Sequence, residues 1–349
     1  PKDALITSRW MSYLTLEKRR ELFEPFRVAH PWLYPHYSMI SDTASQVQSE
    51  VSNQKVFQLD GERQETTLHL VPLMATASRL GGLGLEFTMG GKKRLLLLFD
   101  TGASGIVVNQ RAIDKLGLNH LGAIETGGAG DKGPRQGFIS IADSCKVGTL
   151  SYKTCVLQVL QGRHPAGDED GLIGADFFSN YVIQIDFQKK LLHLTPQPAR
   201  EANPQGYDRD LPPDEKDFTW VYRFGHQLMV PTRLNGKTSG LFLIDTGGGV
   251  STVDSTFARL STKVYGNSWM HIRGISGEVN DVFEAENATL EFASFRQRNL
   301  GLTSFNLNNS PEHRDIRMSG IFGFPLLYMF RLTIDYRNGA VKFDYVLKK

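Results

Sequence analysis

Along most of the chain, apolar residues come in short runs or in strict alternation, bounded by Gly, Asn or Asp. LGLEFTM, FISIAD, SYKTCVLQV and YVIQIDF are of this kind. That spacing belongs to strands joined by tight turns. The longest apolar run, Leu95–Phe99, is short enough for a buried strand and far below the ~18 residues that cross a membrane. Short helices are expected after residues 109 and 254, where Asn109 and Asp254 stand as N-caps. One longer helical pattern, SYLTLEKRRELFEPFRVAH, lies in the first sixty or so residues and ends at Pro31 and Pro35. The stretch 196–217, PQPAREANPQGYDRDLPPDEKD, is rich in proline and charge with no apolar period. It reads as a linker.

The strand-rich part repeats itself. MGGKKRLLLLFDTG (89–102) aligns with LNGKTSGLFLIDTG (234–247) without a gap, at an offset of 145. Further on, GLIGADFF (171–178) matches GIFGFPLL (320–327), and VIQIDFQKKLLHL (182–194) matches RLTIDYRNGAVKF (331–343), both at an offset of 149. Three landmarks in one order argue for a duplicated unit. The expected organisation is a helical N-terminal extension at 1–64, a first lobe at 65–195, a linker at 196–217 and a second lobe at 218–349.

Composition narrows the chemistry. The chain has 349 residues with 39 Lys+Arg against 37 Asp+Glu, a net charge of +2. That is no basis for holding nucleic acid or an anionic surface. Two cysteines, Cys145 and Cys155, exclude a cysteine-rich scaffold or zinc module. They flank an expected turn near Gly148, and both a disulfide and a pair of buried thiols remain open. The nine histidines show no metal-ligand spacing, so no metal and no cofactor are expected. Gly236-Lys237-Thr238 is not a phosphate loop, since Pro231 stands where that motif needs glycine. Asp186 and Asp335 match between the copies and read as turn or edge residues, and His193 as a packed strand residue.

The chemistry concentrates at Asp100-Thr101-Gly102 and Asp245-Thr246-Gly247. Each aspartate follows a strongly apolar strand, where a lone charged carboxylate is expensive. Two carboxylates brought together by the repeat share one proton, because like charges in contact do not both ionise. One then serves as base towards a water, the other as acid towards a carbonyl. One such tripeptide alone reads as a turn; two in register do not.

With the later Leu172-Ile173-Gly174 and Ile321-Phe322-Gly323, FDTGAS and IDTGGG resemble the aspartic proteases of the pepsin–retropepsin clan, above all the bacterial retropepsin-like aspartyl proteases. The resemblance spans residues 65–349. It implies an all-β, bilobal fold with pseudo-twofold symmetry and a cleft between the lobes. Asp100 and Asp245 would be the catalytic pair, supported by Thr101, Gly102, Thr246 and Gly247, with Gly174 and Gly323 in the loops beneath. The implied activity is that of an endopeptidase acting on an extended peptide or protein, in a monomer without metal or cofactor and in a bacterial extracytoplasmic location. Two alternatives stand beside it: an inactive peptide-binding module of the same fold, and lobes that form their pairs only in a homodimer. Ala103 and Gly248 replace the Ser or Thr that pepsin-like enzymes place after Asp-Thr-Gly, which predicts a less acidic working range.

Two glycine-rich stretches at matching places, GGAGDKGPRQG (127–137) and RGISGEVND (273–281), are expected to be hairpins. They are either mobile covers over a peptide or surface turns. Residues 1–60 hold seven Lys/Arg and seven Asp/Glu. That balance disfavours a basic inhibitory pro-segment.

Overall fold

A computed structural model describes residues 57–91, 93–160, 169–197, 217–267, 269–308 and 317–346. The helix expected in the N-terminal extension, and nearly all of the linker, lie outside these residues. Within them strands dominate, arranged as sheets of nine, eight, six and two strands.

In the nine-stranded sheet, Lys93–Asp100 pairs antiparallel with Arg79–Met89 and parallel with Gly171–Gly174. Ile106–Asn109 then lies antiparallel on the other side of Gly171–Gly174. The chain therefore leaves the sheet after Asp100, turns, and returns two places away, forming a ψ-shaped loop. The eight-stranded sheet repeats the figure with Thr238–Ile244, Gly320–Phe322 and Thr252–Asp254. Alternation along the two outgoing strands sends Leu95, Leu97 and Phe99, and Phe242 and Ile244, into the main core.

The six-stranded sheet draws on both lobes. Tyr181–Asp186 and Phe330–Asp335 pair antiparallel at its centre, with Gln184 opposite Thr333. These two residues are equivalent at the offset of 149, so a local twofold axis passes through their pair. Ile183, Ile185, Leu332 and Ile334 are fully buried beside it, and at ~25 cal/mol per Å² of apolar surface such a seam binds the lobes tightly.

The helix starts follow their caps. Asn109 Oδ1 accepts from Ala112 N at 2.9 Å, starting Gln110–Leu116. Asp254 Oδ1 accepts from Phe257 N at 2.9 Å, starting Ser255–Arg259. Gly117, at φ 68°, ends the first of these helices. Asp186 and Asp335 accept from Lys189 N and Asn338 N, closing turns. His193 meets the Thr67 hydroxyl at 2.8 Å on the strand Leu191–Pro196.

Two details differ from the sequence reading or complete it. Gln58–Leu59 pairs with Lys153 and Tyr152 of the first lobe, although it precedes the boundary expected at residue 65. Only two residues long, it carries no periodic signal. Cys145 and Cys155 form a disulfide across the hairpin of Arg135–Val147 and Leu150–Leu160, which resolves the choice between a bond and free thiols.

Candidate active site

Thr101 and Thr246 hold the turns that follow the two strands. Thr101 N donates to Thr246 Oγ1 at 3.0 Å, and Thr246 N donates to Thr101 Oγ1 at 3.0 Å. Each hydroxyl then donates onward across the lobe boundary, Thr101 Oγ1 to Ile244 O at 2.8 Å and Thr246 Oγ1 to Phe99 O at 2.7 Å. Both side chains are buried, where an unmade hydrogen bond is costly. The network closes on itself only when the two lobes face each other.

The grip sets Asp100 and Asp245 side by side, so that a Cβ on Gly102 would crowd both carboxyls. The glycines next to them measure how tight the site is. A methyl group on Gly102 would stand 3.0 Å from Asp245 Oδ1 and 3.2 Å from Asp100 Oδ1. One on Gly247 would fall 2.5 Å from Asp100 Oδ2. Glycine is required at both positions because each main chain crosses against the opposite lobe's carboxyl.

The electrostatics of the pair follow from this crowding. Burial is the largest influence on Asp245, followed by the charge of Asp100 and the hydrogen bond with it; together they hold its carboxyl well above the usual carboxylate range. Gly247 N and Gly248 N donate to Asp245 Oδ1 at 2.9 and 2.8 Å and pull the other way. They are outweighed. Asp100 Oδ1 accepts from Gly102 N at 2.7 Å.

Gly174 and Gly323 lie beneath the two turns. A Cβ on Gly174 would meet Ala103 O at 2.5 Å, and one on Gly323 would meet Val250 O at 2.4 Å. The structure thus brings Asp100, Thr101, Gly102, Gly174, Asp245, Thr246, Gly247 and Gly323 into one site. Among the described residues, no group of three or more His, Cys, Asp and Glu is placed to hold a metal ion.

Four further contacts escaped sequence reasoning. Asp176 accepts from Ser104 Oγ at 2.7 Å and Gly105 N at 2.9 Å, bracing the turn after Asp100. The repeat conceals it, because the matching residue is Pro325. On the other side, Gly323 N donates to Ser251 Oγ at 3.0 Å. His226, from the second lobe, meets Gly102 O at 3.0 Å, a contact across 124 residues with no local signal.

The fourth contact joins the two glycine-rich hairpins. Ser276 N donates to Ala129 O at 2.9 Å, Lys132 N to Ser276 O at 2.8 Å and Asp131 N to Glu278 O at 3.1 Å. Gly128 N donates to Ser276 Oγ at 3.2 Å, and Asn280 N to Asp131 Oδ2 at 2.7 Å. Sequence placed both hairpins at matching positions; it did not show that their tips interlock.

Residues 85–177 match the family model for Aspartyl protease. The match takes in Asp100, its turn and Gly174; the second lobe, outside it, presents the same loop with Asp245. Among solved structures, the chain is similar to the aspartic proteinase from Irpex lacteus, at 10% identity and a TM-score of 0.49, over 81% of this chain and 98% of that one. No curated protein matches the chain.

Proposed function

We propose that the protein is an aspartic endopeptidase in which Asp100 and Asp245 of one chain form the catalytic pair. The observation that carries this reading is the reciprocal threonine grip, which sets two carboxyls side by side at the meeting of the lobes. Asp245 bears the shared proton and hydrogen-bonds the carbonyl oxygen of the scissile amide, raising the electrophilicity of its carbon. Asp100 takes a proton from a water as its oxygen bonds to that carbon, giving a tetrahedral diol. Collapse of the diol breaks the C–N bond, with a proton passing to the departing nitrogen, and leaves a carboxyl end and an amine end. No acyl-enzyme forms, because the nucleophile is water.

An extended peptide is the substrate class this geometry suits, since its backbone adds to strand edges in a cleft between lobes. The intrachain grip supports a pair completed within one molecule over pairs assembled between two. The Cys145–Cys155 disulfide supports an oxidising, extracytoplasmic setting. Among the described residues no helix is long and apolar enough to cross a membrane.

The test is digestion of a mixed peptide library across pH, with and without a statine-type inhibitor. Discrete, inhibitor-sensitive cleavage supports the reading. Peptides recovered whole from a stable complex would support the binding-module alternative.

A further inference from the structure

Residues two apart on a strand share a face, so Leu98 points to the same side of the sheet as Asp100, and Leu243 to the same side as Asp245. Each of these leucines belongs to a small apolar cluster separate from the main core. Leu98 gathers Val107, Leu160 and Leu172, with Ala103 at the rim. Leu243 gathers Met229 and Met318. The two clusters therefore lie on either side of the paired aspartates as apolar patches, the first built of aliphatic side chains and the second carrying two methionines.

The patches differ in a second way. Ile275, at the tip of the second lobe's hairpin, packs against the first-lobe cluster. It is carried there by the clasp around Ser276, and a Cβ on Gly128 would fall 2.9 Å from Ile275 Cβ. The opposite tip reads GGAGDKG at 127–133 and offers no large apolar side chain to reciprocate. The hairpins thus do more than close over the site. They lay one residue of the chain over one of its two apolar patches.

We propose that Ile275 is a built-in cover of the first-lobe patch, and that substrates present a branched aliphatic residue which displaces it as the hairpins part. This rests on the peptide-cleaving reading above and adds its selectivity. The clasped form leaves that patch covered, so only the fraction of molecules in which the clasp is open binds there, and apparent affinity is reduced accordingly. Leu, Ile or Val restores the apolar burial that Ile275 gives up; a polar or charged residue does not.

The experiment measures binding without turnover, using the Asp100→Asn protein and short fluorescent peptides in which one leucine is walked through a neutral background. In the best-binding register, adding Ile275→Ala is expected to tighten binding about tenfold, with little change for the peptide lacking leucine. In the protein with Ile275 intact, amide exchange at Asp131, Lys132 and Ser276 is expected to quicken when that peptide binds. Unchanged or weaker binding by the Ile275→Ala form, with the fold intact by circular dichroism, would overturn the inference. A different result, no peptide bound by either form, would instead overturn the peptide-cleaving reading on which it rests.

Discussion

The Thr246 hydroxyl accepts from Thr101 N and donates to Phe99 O, so replacing it with a methyl group leaves two buried polar groups unpaired. Thr246→Val keeps the shape and is expected to cost about 2 kcal/mol of stability, read as a lower denaturation midpoint, and to depress turnover because the carboxyls lose their alignment. Asp245 gives a pH signature with a definite sign. Its pKa is raised in the folded chain, chiefly by burial and then by the charge of Asp100, so the folded state binds this proton more tightly than the unfolded one. The resulting stabilisation is complete below the ordinary aspartate value of ~4 and drains away as pH rises through the raised value. Unfolding measured from pH 4 upwards should show that decline, and Asp245→Asn should flatten it. The same deprotonation sets the upper limb of the activity profile, which is expected to lie at less acid pH than that of a gastric protease. At this scale the sequence was legible wherever a residue acts on its neighbours, as with the Asp-Thr-Gly turns. Asp176 and His226 act across 72 and 124 residues, and only the folded chain reveals them.

Among the elements, the ψ-shaped loops could be anticipated because both their strands and their glycines repeat. Gly323→Ala would push a Cβ to 2.4 Å from Val250 O, a backbone contact with no flexible partner to yield. It is expected to abolish activity and lower expression of folded protein, whereas Gly249→Ala, with nothing within 4 Å, should fold normally. The hairpin carrying Cys145 and Cys155 was visible as a turn, but its register was not, since strand alternation alone does not say which residues face each other. With the disulfide formed between residues ten apart, its removal by paired Cys→Ser changes is expected to cost about 2–3 kcal/mol. Thiol titration of the unfolded protein, before and after reductant, checks that the bond is present. The short strand Gln58–Leu59 was not legible, because two residues show no period and the pairing partner lies far along the chain.

For the whole molecule, the decisive relation is between lobes. The sequence repeat implied symmetry, and the antiparallel pairing of Gln184 with Thr333 places the axis; the interlocked hairpin tips came from neither repeat nor composition, because contacts between surface turns leave no periodic trace. If one chain completes the site, specific activity is independent of protein concentration on serial dilution, and a steep loss at low concentration would point to lobes paired between molecules. The central claim is tested most directly by one comparison: digestion of a peptide library in water enriched in oxygen-18, by the unaltered protein and by Asp100→Asn and Asp245→Asn separately. The account predicts new C-termini bearing a single heavy oxygen, and a loss of rate of about a thousandfold or more in each variant. Cleavage that persists in either variant would contradict it.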